Sequence, residues 1–125
     1  MIYLDTHVAV WLHAGLLTKI PEKAKNLLNT HEIRVSPIVD LELEFLFSKG
    51  KINHNSEEII NDLYAHIGVD ICTLPYTAIV KQAKSIDWTF DPFDRLIVAN
   101  AKLNESPLLT KDQLILKKFS LARWD

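Results

Sequence analysis

The sequence predicts an α/β fold in which helices cover both faces of a mainly parallel β-sheet. Short apolar runs alternate along the chain with longer segments that carry apolar residues at helical spacings of three and four. This alternation is typical of βαβ units, whose right-handed crossovers place parallel strands side by side. No change of composition and no Pro/Gly/Ser-rich stretch interrupts the 125 residues, so we expect a single domain over residues 1–125.

The elements follow in order from this pattern. The predicted strands are short, apolar and bounded by polar residues: IYLD (2–5), IRVS (33–36), VDICTL (69–74), PLLT (107–110) and an edge strand LARW (121–124). The predicted helices have an apolar stripe: THVAVWLHA (6–14), PEKAKNLLNT (21–30), PIVDLELEFLFS (37–48), SEEIINDLYAHI (56–67), YTAIVKQAKSI (76–86), PFDRLIVANAKLN (92–104) and DQLILKKF (112–119).

Composition bounds the function classes. Fourteen Lys and Arg against sixteen Asp and Glu give a net charge of −2, so any contact with nucleic acid depends on local basic residues. The single cysteine, Cys72, lies in an apolar run and suits a buried position in a reducing compartment. The sequence has neither a basic leader with a long apolar stretch nor a run of roughly 18 apolar residues. We therefore expect a cytoplasmic protein without a membrane span.

Two aspartates follow predicted strands at the edge of the sheet where parallel α/β folds bind ligands. Asp5 ends the first strand, and Asp112 comes just after PLLT. Each precedes a helix, so each can equally serve as an N-cap that accepts from free backbone N–H groups. For either residue taken alone, the two interpretations are about equally good.

Glu42 is the more informative acid of the third predicted helix. Spacings of three and four place it on one face with Ile38, Leu41 and Phe45, where a carboxylate needs a partner. Glu44 lies on the opposite side, where a solvated charge costs little. A structural ion pair with a Lys or Arg is the alternative role for Glu42.

The stretch DPFDR begins the sixth predicted helix with two further acids. Asp91 before Pro92 has the pattern of an N-cap followed by the first helical residue. Asp94 either favours the helix dipole or faces the strand ends, and Arg95 can pair with a carboxylate or a phosphate.

Asp5, Glu42, Asp94 and Asp112 should all meet at one edge of the predicted sheet. Converging carboxylates repel one another and raise one another's pKa, so this arrangement is costly unless a cation is present. Oxygen ligands suit Mg²⁺ or Mn²⁺, whereas zinc would need His or Cys. The five histidines form no close ligand pair; we expect them to pack at the surface or at the core edge, with His7 near Asp5.

The order and spacing of IYLDTH, VSPIVDLELEFLFSKGKI, DPFDRLIVANA and LLTKD resemble those of a PIN-domain ribonuclease, specifically a VapC-type toxin of a toxin–antitoxin pair. The matching segments span nearly the whole chain, and DPFDR is the most specific of them. The resemblance implies the PIN-like three-layer fold. One departure is the stretch DWTFDPFDR, because many relatives have a basic residue or His just before DPFDR.

The resemblance also implies a set of site residues. The acidic quartet falls on Asp5, Glu42, Asp94 and Asp112, with Asp5 and Asp94 as direct Mg²⁺ or Mn²⁺ ligands and the other two binding directly or through water. Further residues implied around the quartet are an additional acid at Asp91, supporting hydroxyls at Ser36 and Thr110, and RNA phosphate contacts at Arg95, Lys49, Lys51 and Lys111. Lys117 and Lys118 are better explained as solvated surface.

The family pattern implies metal-dependent hydrolysis of RNA that leaves 5′-phosphate and 3′-hydroxyl ends. Trp88 and Phe90 are weak candidates for stacking on RNA bases, and core packing is the better interpretation of both. An antitoxin helix in an apolar groove and a homodimer are implied as well. Candidate groove residues are Trp11, Leu16, Leu17, Leu46 and Phe47.

Two other classes of protein compete with the nuclease. A phospho-receiver domain has a similar length and alternation, but it needs an acidic pair after the first strand and an Asp after the third, and IYLDTH and VDICTL provide neither. A catalytically inactive PIN-like binding module, whose acids dock a basic partner, is separated from a nuclease only by turnover.

Overall fold

The computed structural model describes all 125 residues and contains one five-stranded sheet flanked by helices. Every neighbouring pair of strands is parallel, and the strand order is β3-β2-β1-β4-β5. The strands are β1 (Ile2–Leu4), β2 (Ile33–Val35), β3 (Asp70–Ile71), β4 (Leu108–Leu109) and β5 (Ala122–Arg123). The α/β class with a parallel central sheet, predicted from the sequence, is confirmed.

Seven α-helices connect and cover these strands, as the periodicity predicts. They are α1 (Thr6–His13), α2 (Glu22–Thr30), α3 (Pro37–Ser48), α4 (Ser56–Ile67), α5 (Tyr76–Ala83), α6 (Pro92–Leu103) and α7 (Gln113–Lys118). A short 3₁₀ turn at Leu17–Lys19 was not expected. None of the helices combines the length and the apolar composition that crossing a bilayer requires.

The strand order separates this fold from a phospho-receiver domain. In receivers the first strand lies between the second and the third. Here β1 lies between β2 and β4, with Tyr3 paired to Arg34 on one side and to Leu108 on the other. The receiver alternative is therefore wrong.

The hydrophobic core surrounds β1, whose three residues are each at most 1% exposed. On α3, Val39 and Leu43 face this core, whereas Leu41 is 57% exposed and Phe45 is 47% exposed. The face predicted from Leu41 and Phe45 is therefore not a core face. The error arises because α3 is apolar on two sides, and periodicity alone does not say which side the sheet covers.

Candidate active site

A single cleft at the carboxyl ends of β1 and β4 brings the predicted acids together. It has a volume of about 390 Å³ and is lined by Asp5, His7, Val8, Trp11, Glu42, Asp91, Asp94, Lys111, Asp112 and Gln113. All four members of the predicted quartet are present, and Asp91 adds a fifth carboxylate. Separate segments of the chain contribute to this cleft, because parallel strands deliver their ends to one edge.

Asp5 is the most buried of these acids. It directly follows β1 and is 8% exposed. The Thr6 backbone N–H donates to its Oδ1 at 2.8 Å, and the Thr110 hydroxyl donates to its Oδ2 at 2.6 Å. Burial raises the pKa of Asp5, although the hydrogen bonds from Thr110 and Thr6 oppose that shift. The structure thus places the predicted hydroxyl of Thr110 against a predicted ligand.

Glu42 projects from α3 and is held by the residue that follows Asp5. The Thr6 hydroxyl donates to Glu42 Oε1, which leaves Oε2 without a protein partner. Partial burial raises the pKa of Glu42, and the negative charge of Asp5 adds to this effect. Glu44, by contrast, is exposed and accepts from the Ser56 N–H at the start of α4 at 3.2 Å.

The two acids of DPFDR have different roles. Asp91 is the N-cap of α6, since its Oδ1 accepts from the N–H groups of Phe93 at 2.9 Å and Asp94 at 3.3 Å. The Asp94 carboxylate makes no ion pair within the protein. Burial raises the pKa of Asp94 to about 7, and the charges of the other four acids, led by Asp91, contribute to this rise.

Asp112 caps α7 at the far side of the cleft. Its Oδ1 accepts from the Ile115 N–H at 2.9 Å, and its own N–H donates to Thr110 Oγ1 at 3.0 Å. Thr110 therefore links Asp5 to Asp112 through its one hydroxyl. Two acids of the quartet are fixed relative to each other by a residue that contributes no charge.

The acids of this cleft lack a cation that would neutralise them. None of the protein's ion pairs includes any of the five carboxylates, and the only lysine or arginine that lines the cleft is Lys111. The carboxylate donors are all oxygens, which suits a hard divalent ion such as Mg²⁺ or Mn²⁺. No three of the side chains are close enough together to coordinate one ion by themselves. Mg²⁺ usually keeps several water ligands, which would complete its coordination. The residues therefore fit such an ion bound by one or two carboxylates.

Two supporting residues differ from expectation. Ser36 is buried but accepts from the Ile38 N–H at 3.3 Å as the N-cap of α3, and its hydroxyl bonds none of the acids. Thr6 was missed by sequence reasoning, although it is fully buried and bonds both Asp5 and Glu42. Its position directly after the strand-end aspartate was a signal for the bond to Asp5 alone.

The four cations predicted to contact RNA are dispersed. Only Lys111 lines the cleft. Arg95 donates from Nε to the Thr89 carbonyl at 2.6 Å, and Lys49 Nζ lies 5.0 Å from the centroid of the Phe45 ring. Lys51 lines a separate cavity of about 470 Å³ beside His54.

The two aromatic residues before DPFDR also differ from each other. Trp88 packs against the core, as expected, whereas Phe90 is 93% exposed. The Arg95 guanidinium lies 5.9 Å from the Phe90 ring centroid. Core packing was therefore the wrong interpretation for Phe90.

The chain thus combines a parallel sheet with five carboxylates that line one cleft at its carboxyl edge and make no ion pair. The PIN domain family model matches residues 2–119. The chain therefore belongs to the PIN domain family, as the sequence motifs indicate.

Solved structures with the same fold are distant in sequence. A toxin–antitoxin complex from Klebsiella pneumoniae aligns with a TM-score of 0.66 at 16% identity, covering 98% of this chain and 96% of that chain. VapBC2 from Rickettsia felis, bound to a DNA fragment from its promoter, aligns at 0.65 and 22% identity over 100% of both chains. VapBC-1 from nontypeable Haemophilus influenzae aligns at 0.61 and 20% identity, covering 100% and 97%. The comparison with curated proteins gave no significant match.

Proposed function

We propose that the protein is a metal-dependent endoribonuclease and acts as the VapC-type toxin of a toxin–antitoxin pair. The observation that carries this proposal is Asp94, a half-buried carboxylate with no ion-pair partner that faces four other acids in one cleft. Leaving these charges together is unfavourable unless a cation binds. Membership of the PIN family and the fold shared with VapBC complexes support the same function.

Asp5 and Asp94 are the proposed direct ligands, and Glu42 and Asp112 bind directly or through water. These residues would hold a Mg²⁺ or Mn²⁺ ion, which would supply Lewis-acid activation of the scissile phosphate and of the attacking water. Thr6 and Thr110 fix Asp5 by both carboxylate oxygens, so its remaining lone pairs have one orientation. The free Oε2 of Glu42 can orient the attacking water and accept its proton. Hydrolysis then leaves a 5′-phosphate and a 3′-hydroxyl.

The proposal includes a protein partner. An antitoxin helix would find apolar side chains in two adjoining cavities of about 320 and 580 Å³ that share Leu12, Leu17 and Ile67. Of the groove residues predicted from the sequence, Leu17 is among those that line these cavities, whereas Trp11 lines the acidic cleft. A basic side chain of that partner can reach the acids and block the metal site.

Three further expectations belong to the proposal. A homodimer would cover the exposed apolar face of α3 at Leu41 and Phe45. The chain forms a single PIN domain over residues 1–125. The protein works in the cytoplasm, where its RNA substrate and its antitoxin are present.

The proposal is tested by cleavage of a structured RNA pool with antitoxin-free protein. Wild type, Asp94→Asn and Asp87→Asn are compared in Mg²⁺, in Mn²⁺ and in chelator, and the product ends are mapped. Asp87 is an exposed acid outside the cleft and is the matched control. We expect cleavage by wild type and Asp87→Asn that disappears in chelator and in Asp94→Asn.

Two results contradict the proposal. Cleavage that persists equally in Asp94→Asn would mean that another site or a contaminant is responsible. Metal binding by calorimetry without turnover on any RNA of the pool would favour the inactive binding module instead.

A further inference from the structure

One wall of the carboxylate cleft is aromatic and basic, and the mechanism above does not use it. This Trp11 wall consists of His7, Trp11 and Lys111 in the cleft lining, together with Lys19, which lies beside the Trp11 ring outside that lining. The Nζ atoms of Lys19 and Lys111 lie 5.5 and 5.6 Å from the centroid of the Trp11 ring. His7, Trp11 and Lys111 line the same cleft as the five acids.

The indole of Trp11 packs against a second, buried tryptophan. Its ring centroid lies 5.9 Å from that of Trp124, which is 6% exposed, and the two ring planes meet at 52°. The His7 ring stands 6.3 Å away, one turn earlier on α1. Trp11 is therefore a partly buried platform whose orientation is set by packing, while the two lysines beside it are exposed.

Charge makes this wall the side of the cleft on which a polyanion can rest. Phosphates are repelled by the five carboxylates, and the wall carries the lysine that lines the cleft. Lys111 follows Thr110, which donates to Asp5, and precedes Asp112. Its ammonium group is thus tethered in the cleft beside the Trp11 ring, where it is available to a phosphate group.

We propose that the Trp11 wall is a nucleotide subsite, in which a base of single-stranded RNA stacks on the Trp11 indole while Lys19 and Lys111 contact the adjacent phosphates. This inference rests on the proposed function, since it assumes that the cleft acts on RNA. An incoming base would displace a lysine from the ring. That exchange is favourable, because an exposed lysine–ring contact is worth about two- to fivefold in an equilibrium constant, and a stacked base about 5- to 150-fold.

The wall favours single-stranded RNA over the other polymers that could enter the cleft. A basic side chain of a protein partner can reach the acids, but along the Trp11 wall a basic segment would be repelled by Lys19 and Lys111. Bases of an RNA duplex are already stacked on one another, so they are not free to stack on an indole. An unpaired nucleotide satisfies both features of the wall, with its base on the ring and its phosphates on the lysines.

The test measures RNA binding separately from cleavage. A labelled pool of randomised single-stranded RNA, about 12 nucleotides long to span a typical single-strand site, is titrated by fluorescence anisotropy. The protein carries Asp94→Asn, so that the RNA stays uncut. In this background we compare Trp11→Ala, Trp11→Phe and the pair Lys19→Ala/Lys111→Ala. The pair Lys117→Ala/Lys118→Ala is the matched control, because both lysines are exposed and neither lines the cleft or lies over the Trp11 ring.

We expect Trp11→Ala to weaken binding at least about fivefold and Trp11→Phe, which keeps an aromatic face, to retain most of the affinity. The Lys19/Lys111 pair should reduce the slope of log affinity against log salt by about 0.7 for each phosphate that the protein no longer neutralises. The Lys117/Lys118 pair should leave that slope unchanged. The salt slope of the Lys19/Lys111 variant does not depend on Trp11, so it tests the phosphate contacts even if Trp11 has only a structural role. Circular dichroism melts check that each variant folds.

Three outcomes overturn the subsite. They are equal affinities in Trp11→Ala and its parent, a salt slope that the Lys19/Lys111 pair leaves unchanged, and no RNA binding by the parent. Weakened antitoxin binding with unchanged RNA binding would assign the wall to the protein partner. RNA cleavage by protein with an intact Asp94 separates the two proposals. If that protein cleaves RNA but RNA binding does not depend on Trp11, only the subsite is wrong. If it does not cleave RNA but binding depends on Trp11, only the nuclease function is wrong.

Discussion

Carboxylates in two regions of this protein have opposite electrostatic surroundings. At the contact between α1 and α4, His13 Nε2 lies 3.0 Å from Asp62 Oδ2, and nearby His54 Nδ1 lies 3.0 Å from Glu58 Oε2. In the cleft, five carboxylates have no ion pair, and the pKa of Asp94 is raised to about 7. The same residue types are paired in one region and crowded in the other. The crowding of acids without an ion pair in one cleft, rather than the lack of a partner alone, therefore distinguishes the candidate site.

The largest difference between the two regions should be in catalysis. We expect Asp5→Asn to reduce the rate of RNA cleavage at least about a hundredfold, because a direct metal ligand contributes several kcal/mol to transition-state stabilisation. Asp62→Asn, which removes an acid of the α1–α4 contact, should leave the rate within about twofold, since an exposed pair contributes little. The check is the single-turnover rate of RNA cleavage in Mg²⁺. Comparable losses of rate in Asp5→Asn and Asp62→Asn would show that the two regions do not differ in function.

A smaller effect is expected from the hydroxyl that orients Asp5. Thr110→Val keeps the shape of the side chain but removes the donor to Asp5 Oδ2. We expect cleavage to fall about 10- to 100-fold, as is typical when an outer partner of a metal ligand is removed. Thr30→Val, which removes a helix-surface hydroxyl bonded to the Asn26 carbonyl, is the matched control. Wild-type activity and wild-type metal affinity in Thr110→Val would show that Asp5 needs no such support.

The cleft should also cost stability when no metal is bound. The pKa of Asp94 rises from 3.8 to about 7 on folding, so the folded state prefers the protonated acid. Protonated Asp94 contributes its full share to the free energy of unfolding below about pH 4, and this share is lost as the pH rises through about 7. At pH 8 in chelator, we expect Asp94→Asn to raise the free energy of unfolding by about 1 to 2 kcal/mol.

That prediction is measured by urea unfolding of wild type and Asp94→Asn at several pH values. The variant should show a weaker pH dependence between about pH 4 and 7, although Asp5 and Glu42 retain part of it. Saturating Mg²⁺ should stabilise wild type, by about 2.7 kcal/mol at a hundredfold excess over Kd. If Asp94→Asn is less stable than wild type in chelator at the same alkaline pH, burial and repulsion of the Asp94 charge do not cost the fold stability.

The smallest effect is expected at the histidine-paired acids. Asp62 is 58% exposed at its side chain, and water screens such a pair. We expect Asp62→Asn to lower the free energy of unfolding by about 0.2 to 1 kcal/mol, within the range of exposed ion pairs. Urea unfolding in low and high salt would check this, because salt screens an exposed pair. If Asp62→Asn instead raises the free energy of unfolding, removal of a carboxylate charge stabilises the α1–α4 contact, as is expected for the cleft.

The convergence of the acids was predictable because it follows from topology. Short apolar runs that alternate with helices indicate a parallel sheet, and such a sheet collects its strand ends at one edge. Asp5 and Asp112 required only this rule, and the N-cap of Asp91 required only the sequence Asp-Pro. Each of these inferences needs only the position of an acid directly after a strand or at the start of a helix. Neighbours in sequence indicate such positions, which is why these inferences agree with the structure.

The features that were missed depend on neighbours in space. The inward face of α3 is decided by the helices and strands packed against it, so Leu43 rather than Leu41 is buried. Phe90 is exposed because the segment before α6 runs over the surface. The hydroxyl of Thr6 reaches Glu42 across 36 positions of sequence, and no local pattern indicates that contact.

The hydrogen bond from Thr110 to Asp5 joins residues 105 positions apart, and β1 pairs directly with β4. During translation β1 leaves the ribosome long before its partner strand does. Because domains fold as units during synthesis, the nascent chain has no complete cleft until Thr110 and Asp112 have emerged. On the proposed function, cleavage of RNA would thus begin only after Thr110 and Asp112 have left the ribosome.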